Sequence, residues 1–196
     1  MSKTFQRAEE RLLSAIGAAR VSHAFFISSL DPEPAVRLAR RAAALVCTGE
    51  ADEARLAQSA GFRAYDGASM RIDDIRELIA GLAQSPLNGQ MRCTLIEAAH
   101  GMSIPVQNAL LKTLEEPSSS AVFILTGNIA GVLPTVASRC AVIRAGLSSA
   151  SEIESLLLSR GASPAEARFY AAAGGGSETR ALRLYEDETF RTLRDD

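Results

Sequence analysis

Tryptophan is absent from this sequence, and seven Phe and three Tyr are all of its aromatic residues. The core has to be built from aliphatic side chains, chiefly Ala and Leu, which favours helices packed on a small sheet. No apolar run approaches the ~20 residues that a membrane-spanning helix needs, so no membrane association is expected. The opening stretch, MSKTFQRAEERLL, carries acids and has no apolar centre. It is not expected to act as a secretory signal, and the expected location is cytoplasmic. Cysteine is scarce: Cys47, Cys93 and Cys140 are far apart and odd in number. Reduced, partly buried thiols are expected, and a disulfide framework is not. Neither sign of charge dominates, with 21 Lys and Arg against 23 Asp and Glu. Composition therefore gives no global electrostatic case for binding DNA. Internal repeats and low-complexity segments are missing as well.

What is present is enough apolar material for a sizeable core: 196 residues, 47% of them hydrophobic. That length allows one compact domain, or one domain with a small appendage. Residues 4–19 place Phe5, Ala8, Leu12, Ile16 and Ala19 at helical spacing. HAFFIS at 23–28 is a continuous apolar run and reads as a buried strand. SLDPEP at 29–34 reads as a turn. A helix follows over 35–46, with Val36, Leu38, Ala39, Ala42 and Ala43 facing inward. Residues 48–60 are small and polar, a short helix or a loop. Residues 63–66 read as a second strand, 72–83 as a helix with Ile72, Ile75, Leu78, Ile79 and Leu82 inward, and SPLNG at 85–89 as a turn. AVFILT at 121–126 is the clearest strand, 128–137 a loop with a short helical turn, and 140–143 a fifth strand. Strands alternating with helices imply crossover units and a mostly parallel sheet. After Ala145 the pattern turns helical, with a capped helix in LSSASEIESLLLSRG, a second opened by Ser163 and Pro164, and a third after GGGSE. The expected fold is α/β: a five-stranded, mostly parallel sheet sandwiched by helices over 1–148, then a small helical domain over 149–196.

The chain is organised around residues 92–117. Thr94, Leu95 and Ile96 form a β-prone run. Ser103 can cap the following helix, and Pro105 sits in its first turn, where a missing N–H matters little. Val106, Ala109, Leu110, Thr113 and Leu114 make one stripe, and Pro117 ends the helix. Taken alone this is an ordinary strand–helix unit. The strings DDIREL (73–78), NALLKTLEEP (108–117) and LPTVASRC (133–140) are more specific. In this order they resemble the AAA+ core of bacterial clamp-loader subunits and look like the delta-prime subunits of the DNA polymerase III clamp loader. The similarity runs from about residue 23 to 182.

That resemblance implies a P-loop NTPase fold, yet the nucleotide loop departs from the pattern. A P-loop runs from the first strand into GxxxxGK[ST], whose backbone N–H groups, lysine and hydroxyl hold phosphates and Mg²⁺. Here the strand runs into SLDPEPAV. Laid on the family pattern without a gap, Ser29 and Pro34 stand at the two fixed glycines, Ala35 at the lysine and Val36 at the hydroxyl. Pro32 and Pro34 have no N–H to offer. Asp31 and Glu33 bring negative charge, which ~4–6 Å from a phosphate costs on the order of 1 kcal/mol or more. The family's acidic pair at the end of the third strand falls on Glu97 and Ala98, so a carboxylate remains and a methyl group replaces the base. Phosphoryl transfer needs metal, base and cradle together. The chain is therefore expected to be no ATPase, with no cofactor and no metal in cis; Glu97 reads as a strand-end acid, solvated or capping the next helix. Of the four zinc cysteines common in such subunits only Cys47 is present, so no zinc is expected.

An arginine finger acts on a neighbour's nucleotide and survives such losses. The resemblance puts it in SRC, at Arg139, where an alternative is a loop arginine in a surface ion pair. Thr126 and Asn128 fall at the polar sensor, with bonding to the loop backbone as the alternative. Arg180 resembles the helical-domain arginine that reads a γ-phosphate, or holds a surface role. Lys112 could touch DNA phosphates or simply be solvated, and His23 and His100 read as packing or strand-end residues. The implied function is a non-catalytic clamp-loader subunit that supplies Arg139 in trans. Its implied partners are gamma/tau-type ATPase subunits and a delta-type subunit, and, through the complex, the sliding clamp and primed DNA. The family's C-terminal collar domain is expected to be absent, since the sequence stops at Asp196. Two alternatives are a free-standing AAA+-derived adaptor without a ring, and a divergent ATPase.

Overall fold

The computed structural model describes residues 2–17, 22–83, 91–116, 118 and 120–187. Ala19, the turn expected at 85–89, Pro117 and the stretch after 187 lie outside the described residues. Five strands, β1 (Ala24–Ser28), β2 (Phe62–Asp66), β3 (Arg92–Glu97), β4 (Ala121–Gly127) and β5 (Ala141–Arg144), form one sheet in the order β2-β3-β4-β1-β5. Every pairing is parallel.

Strand side chains alternate between faces, and here each face has its own helices. These are α1 (Lys3–Gly17), α2 (Pro32–Thr48), the short α3 (Glu53–Leu56), α4 (Ile72–Ala83), α5 (Ile104–Glu115) and the short α6 (Pro134–Ala137). Phe25 and Ile27 of β1 and Val122 and Ile124 of β4 pack with Phe5, Leu12 and Leu38 of α1 and α2. Phe26, Phe123 and Leu125 pack the opposite way, against Ile75, Val106 and Leu110 of α4 and α5. This two-sided burial is why β1 and β4 read as unbroken apolar runs. Then come α7 (Ala150–Ser159), α8 (Pro164–Gly174) and α9 (Glu178–Glu186). They enclose a separate cluster of Ile153, Leu157, Ala167, Tyr170 and Ala181. Tyr170 meets the rings of Phe169 and Tyr185 edge-on, at 5.2 and 5.7 Å between centroids. Ser149 and Ser163 open α7 and α8 with full capping boxes.

Four local expectations change. Ser103 stands at the N-cap of α5 without a side-chain bond to it. Helix α2 begins at Pro32, inside the stretch read as a turn, and runs to Thr48. Both prolines fall in its first turn, where no N–H is needed and a fixed φ helps. In α4, Ile75 and Leu78 are buried, but Ile72 and Ile79 are 39% exposed. At 100° per residue those two share an azimuth roughly 80° from the seam of Ile75, Leu78 and Leu82, so one seam meets the core and the other meets solvent. The cysteines are all free and buried rather than partly so. Cys47 and Cys93, distant in sequence, hydrogen-bond each other where α2 covers β3. That bond and burial push the Cys93 thiol well up, while burial alone pushes Cys140 up to about 11.

Candidate functional site

In a parallel α/β sheet, ligands bind where strands end and their loops diverge. A cavity of about 390 Å³ lies there, lined by Ser29, Ala35 and Val36 after β1, Glu97 and Ala98 at the end of β3, and Thr126 and Asn128 at the end of β4. The structure thus gathers most of the sequence-predicted residues in one place. Pro34 lies buried in the first turn of α2, outside this lining.

The polar groups of the loop after β1 are engaged within the protein. Ser29 N donates to Gly127 O at 3.0 Å. Ser29 Oγ accepts from Asp31 N at 3.0 Å and donates to Asp31 O at 3.2 Å. Asp31 occupies the N-cap position of α2 without capping it. Its carboxylate points instead at α9: Oδ2 accepts from Glu178 N at 2.6 Å and Thr179 N at 3.3 Å, and Oδ1 accepts from Ser177 Oγ at 3.1 Å. Two residues on, Glu33 pairs with Arg183 of α9 at 2.7 Å. Sequence reasoning weighed these acids only against a phosphate and missed these partners, which lie about 150 positions away.

The second half of the cavity is equally engaged. Glu97 accepts from Arg40 Nη2 at 3.0 Å, and Arg40 also reaches Glu53 at 3.5 Å. The bond to Glu97 is the main cause that raises the Arg40 guanidinium above its ordinary value. Ala98 is the one non-glycine described residue at positive φ, 47°, a conformation that strains an L residue. Gly67 closes under it, its N–H donating to Glu97 O at 2.7 Å; a methyl there would sit 2.7 Å from Ala98 O. Asn128 bonds its own loop, Oδ1 accepting from Ala130 N at 3.0 Å, and its N–H donates to His100 Nδ1 at 3.4 Å. Gly127, at φ 141°, leaves His100 that room, since a Cβ would come within 2.4 Å of the ring. Lys112 and Arg180 are exposed.

Arg139 is not part of this group. Strand β5 runs beside β1 with Ala141 opposite Phe25 and Arg144 opposite Ser28. Arg139 therefore sits where the strands begin and the cavity where they end, at least three residue rises, or roughly 10 Å, apart. Its Nη1 donates to Thr135 O at 2.7 Å, and its Nη2 pairs with Glu115 at the end of α5. Two supporting residues escaped the sequence reading. One is Glu115. The other is Gln107, which is buried: its Nε2 donates to Met102 O at 3.0 Å and its Oε1 accepts from Leu133 N at 2.7 Å. It ties α5 to the segment that leads to Arg139. Its one signal was a polar residue beside Val106 on the apolar stripe.

Relatives fit this picture. The family described as DNA polymerase III, delta subunit, matches residues 5–146. The DNA polymerase III subunit delta' of Pseudomonas aeruginosa is 36% identical over 119 residues, covering 59% of this chain and 36% of that protein. A DNA polymerase III subunit gamma of Buchnera aphidicola is 34% identical over 90 residues, covering 45% and 25%. The chain thus spans between a quarter and about a third of these relatives' length. Among solved structures, a DNA polymerase III gamma subunit-related protein of Thermotoga maritima aligns with a TM-score of 0.57 at 21% identity, covering 93% of this chain and 58% of that one. The RuvB Holliday junction branch migration motor of the same organism aligns with a TM-score of 0.62 at 14% identity, covering 97% and 61%. At those identities the structures speak for the fold alone, a P-loop α/β architecture. The sequence match over most of the chain goes further: this chain belongs to the DNA polymerase III delta subunit family and is of the delta-prime type.

Proposed function

We propose that this chain acts as a non-catalytic clamp-loader subunit, with an AAA+ core over 1–148 and a helical lid over 149–196. Its partners are gamma/tau-type ATPase subunits and a delta-type subunit in the cytoplasm. Through them it helps load the sliding clamp on primed DNA. Arg139 is the arginine finger for a neighbour's nucleotide. The observation that carries this reading is the position of Arg139 at the sheet edge opposite the chain's own cavity. From there it serves another subunit's site and not its own. The cis site supports the same reading, because Pro32 and Pro34 donate nothing, Ala35 and Ala98 replace a lysine and a base, and Glu97 is held by Arg40.

The test is ATP turnover by a gamma/tau-type subunit with delta-type subunit, clamp and primed DNA. Three reactions are compared: without this chain, with it, and with Arg139→Ala after equal binding has been verified by co-sedimentation. The chain is expected to stimulate turnover and the alanine variant to lose that stimulation, by about 10³-fold or more for a full finger. Equal stimulation by both forms would remove Arg139 from the mechanism and leave a scaffold. Saturable ATP binding by the isolated chain below millimolar concentration would overturn the non-catalytic reading.

A further inference from the structure

Helix α9 begins with backbone N–H groups that have no partner within the helix. Ser177, its N-cap, covers one by accepting from Arg180 N at 3.0 Å. The two before it, on Glu178 and Thr179, are taken by the Asp31 carboxylate. That carboxylate comes from the loop after β1, and Asp31 is fully buried. An anion at a helix N-terminus is favoured by the converging N–H groups and by the helix dipole. Burial strengthens both, because little water competes. We infer that Asp31 is a resident anion that fastens the three-helix unit to the sheet, so that α9 holds its position with no bound nucleotide or phosphate.

The surroundings fit a fastening. Ser29 fixes the loop through both of its hydrogen bonds with the Asp31 backbone, and Pro32 restricts the chain just after it. Glu178 then takes Ser2 N at 3.0 Å and Ser148 Oγ at 2.9 Å. Ser148 N donates to Gly176 O at 2.9 Å. The Glu33–Arg183 pair is different, since its side chains are 52% and 74% exposed. Exposed pairs add little, so the fastening rests on Asp31. This holds whether or not Arg139 acts in trans.

The experiment measures the spacing of the two parts directly. Cysteines introduced on the exposed Arg76 of α4 and Ser159 of α7 carry a dye pair for single-molecule energy transfer; the native cysteines are buried. The wild-type distance distribution is expected to be narrow and unmoved by millimolar ATP–Mg²⁺ or inorganic phosphate. Asp31→Ala is expected to broaden it most, and Asp31→Asn, which keeps one acceptor but removes the charge, to broaden it less; full restoration by Asn would overturn the role of the charge. Glu33→Ala is expected to leave it unchanged. In parallel, amide exchange across 177–181 is slow in the wild type and rises roughly fivefold or more in Asp31→Ala, the change expected for a lost cap. Faster exchange with an unmoved distance distribution would reduce Asp31 to a plain cap and overturn the inference. So would a nucleotide-induced shift of the wild-type distribution. Should Asp31→Ala fail to fold, fast exchange at Glu178 and Thr179 in the wild type would overturn it alone.

Discussion

The loop after β1 and the turn before β5 flank neighbouring strands, and they treat their charges in opposite ways. In the loop, Asp31 is buried and satisfied by α9. In the turn, Arg139 is 31% exposed and held from the side by Glu115 and Thr135. The first closes the protein on itself; the second presents a cation at an edge. The two lie at opposite ends of strands that run side by side. A buried acid satisfied within the protein at one edge therefore coexists with an ordered, partly exposed cation at the other. The sheet keeps both loops in fixed relation without making either depend on the other.

That independence can be attacked from several sides. Arg139→Ala should have the largest effect, the loss of a partner's stimulated turnover, with little change in this chain's stability. Gln107→Ala comes next. It leaves Met102 O and Leu133 N without their side-chain partner, at a cost of about 1–3 kcal/mol. Urea unfolding should read that loss, and amide exchange should rise around Leu133 rather than at the loop after β1. An equal rise at both would break the separation of the two edges.

An acid titration gives a smaller, one-sided effect. Glu152 accepts from Ser149 N and from Thr4 N, joining α7 to α1. The Ser149 backbone bond is the main cause that lowers its pKa below the ordinary 4.5. A carboxyl held low in the fold stabilises it fully above that value, and the stabilisation fades as the pH falls towards the folded pKa. The difference in thermal midpoint between wild type and Glu152→Gln should therefore be full near neutrality and shrink below pH 4.5. A difference independent of pH would mean the carboxylate's charge plays no part. Glu33→Ala should have the smallest effect, within about 0–1 kcal/mol and reduced by salt, because its pair with Arg183 is exposed.

The strands were legible because burial on both faces writes itself as uninterrupted apolar runs, as in AVFILT and HAFFIS. The starts of α7 and α8 were legible because their signals are local: a serine-rich stretch that can cap α7, and Ser163 followed by Pro164 for α8. Asp31 with α9 was not, since no short-range pattern announces a contact across about 150 positions. The start of α2 was misread because prolines 32 and 34 suit a turn and a first helical turn equally well. Ile72 and Ile79 were misassigned because periodicity finds an apolar stripe without saying how much of it a neighbour covers. Gln107 stayed hidden for the converse reason: its burial follows from where Leu133 falls, which is a property of the folded chain.

One of these contacts also bears on the order of folding. Ser2 bonds Glu178 across 176 positions, and Thr4 bonds Glu152 across 148. Closing so long a loop adds only slowly to the entropy cost, so the bonds are thermodynamically ordinary. Their timing is not. On a growing chain neither Glu178, which accepts from Ser2 N, nor the α9 N–H groups that meet the Asp31 carboxylate exist until α9 has been made, whereas the sheet is complete by Arg144. The strapping of the amino-terminal residues to α9 is thus the last of these contacts to become available, and it closes a ring of contacts around a sheet whose strands all precede it in the chain.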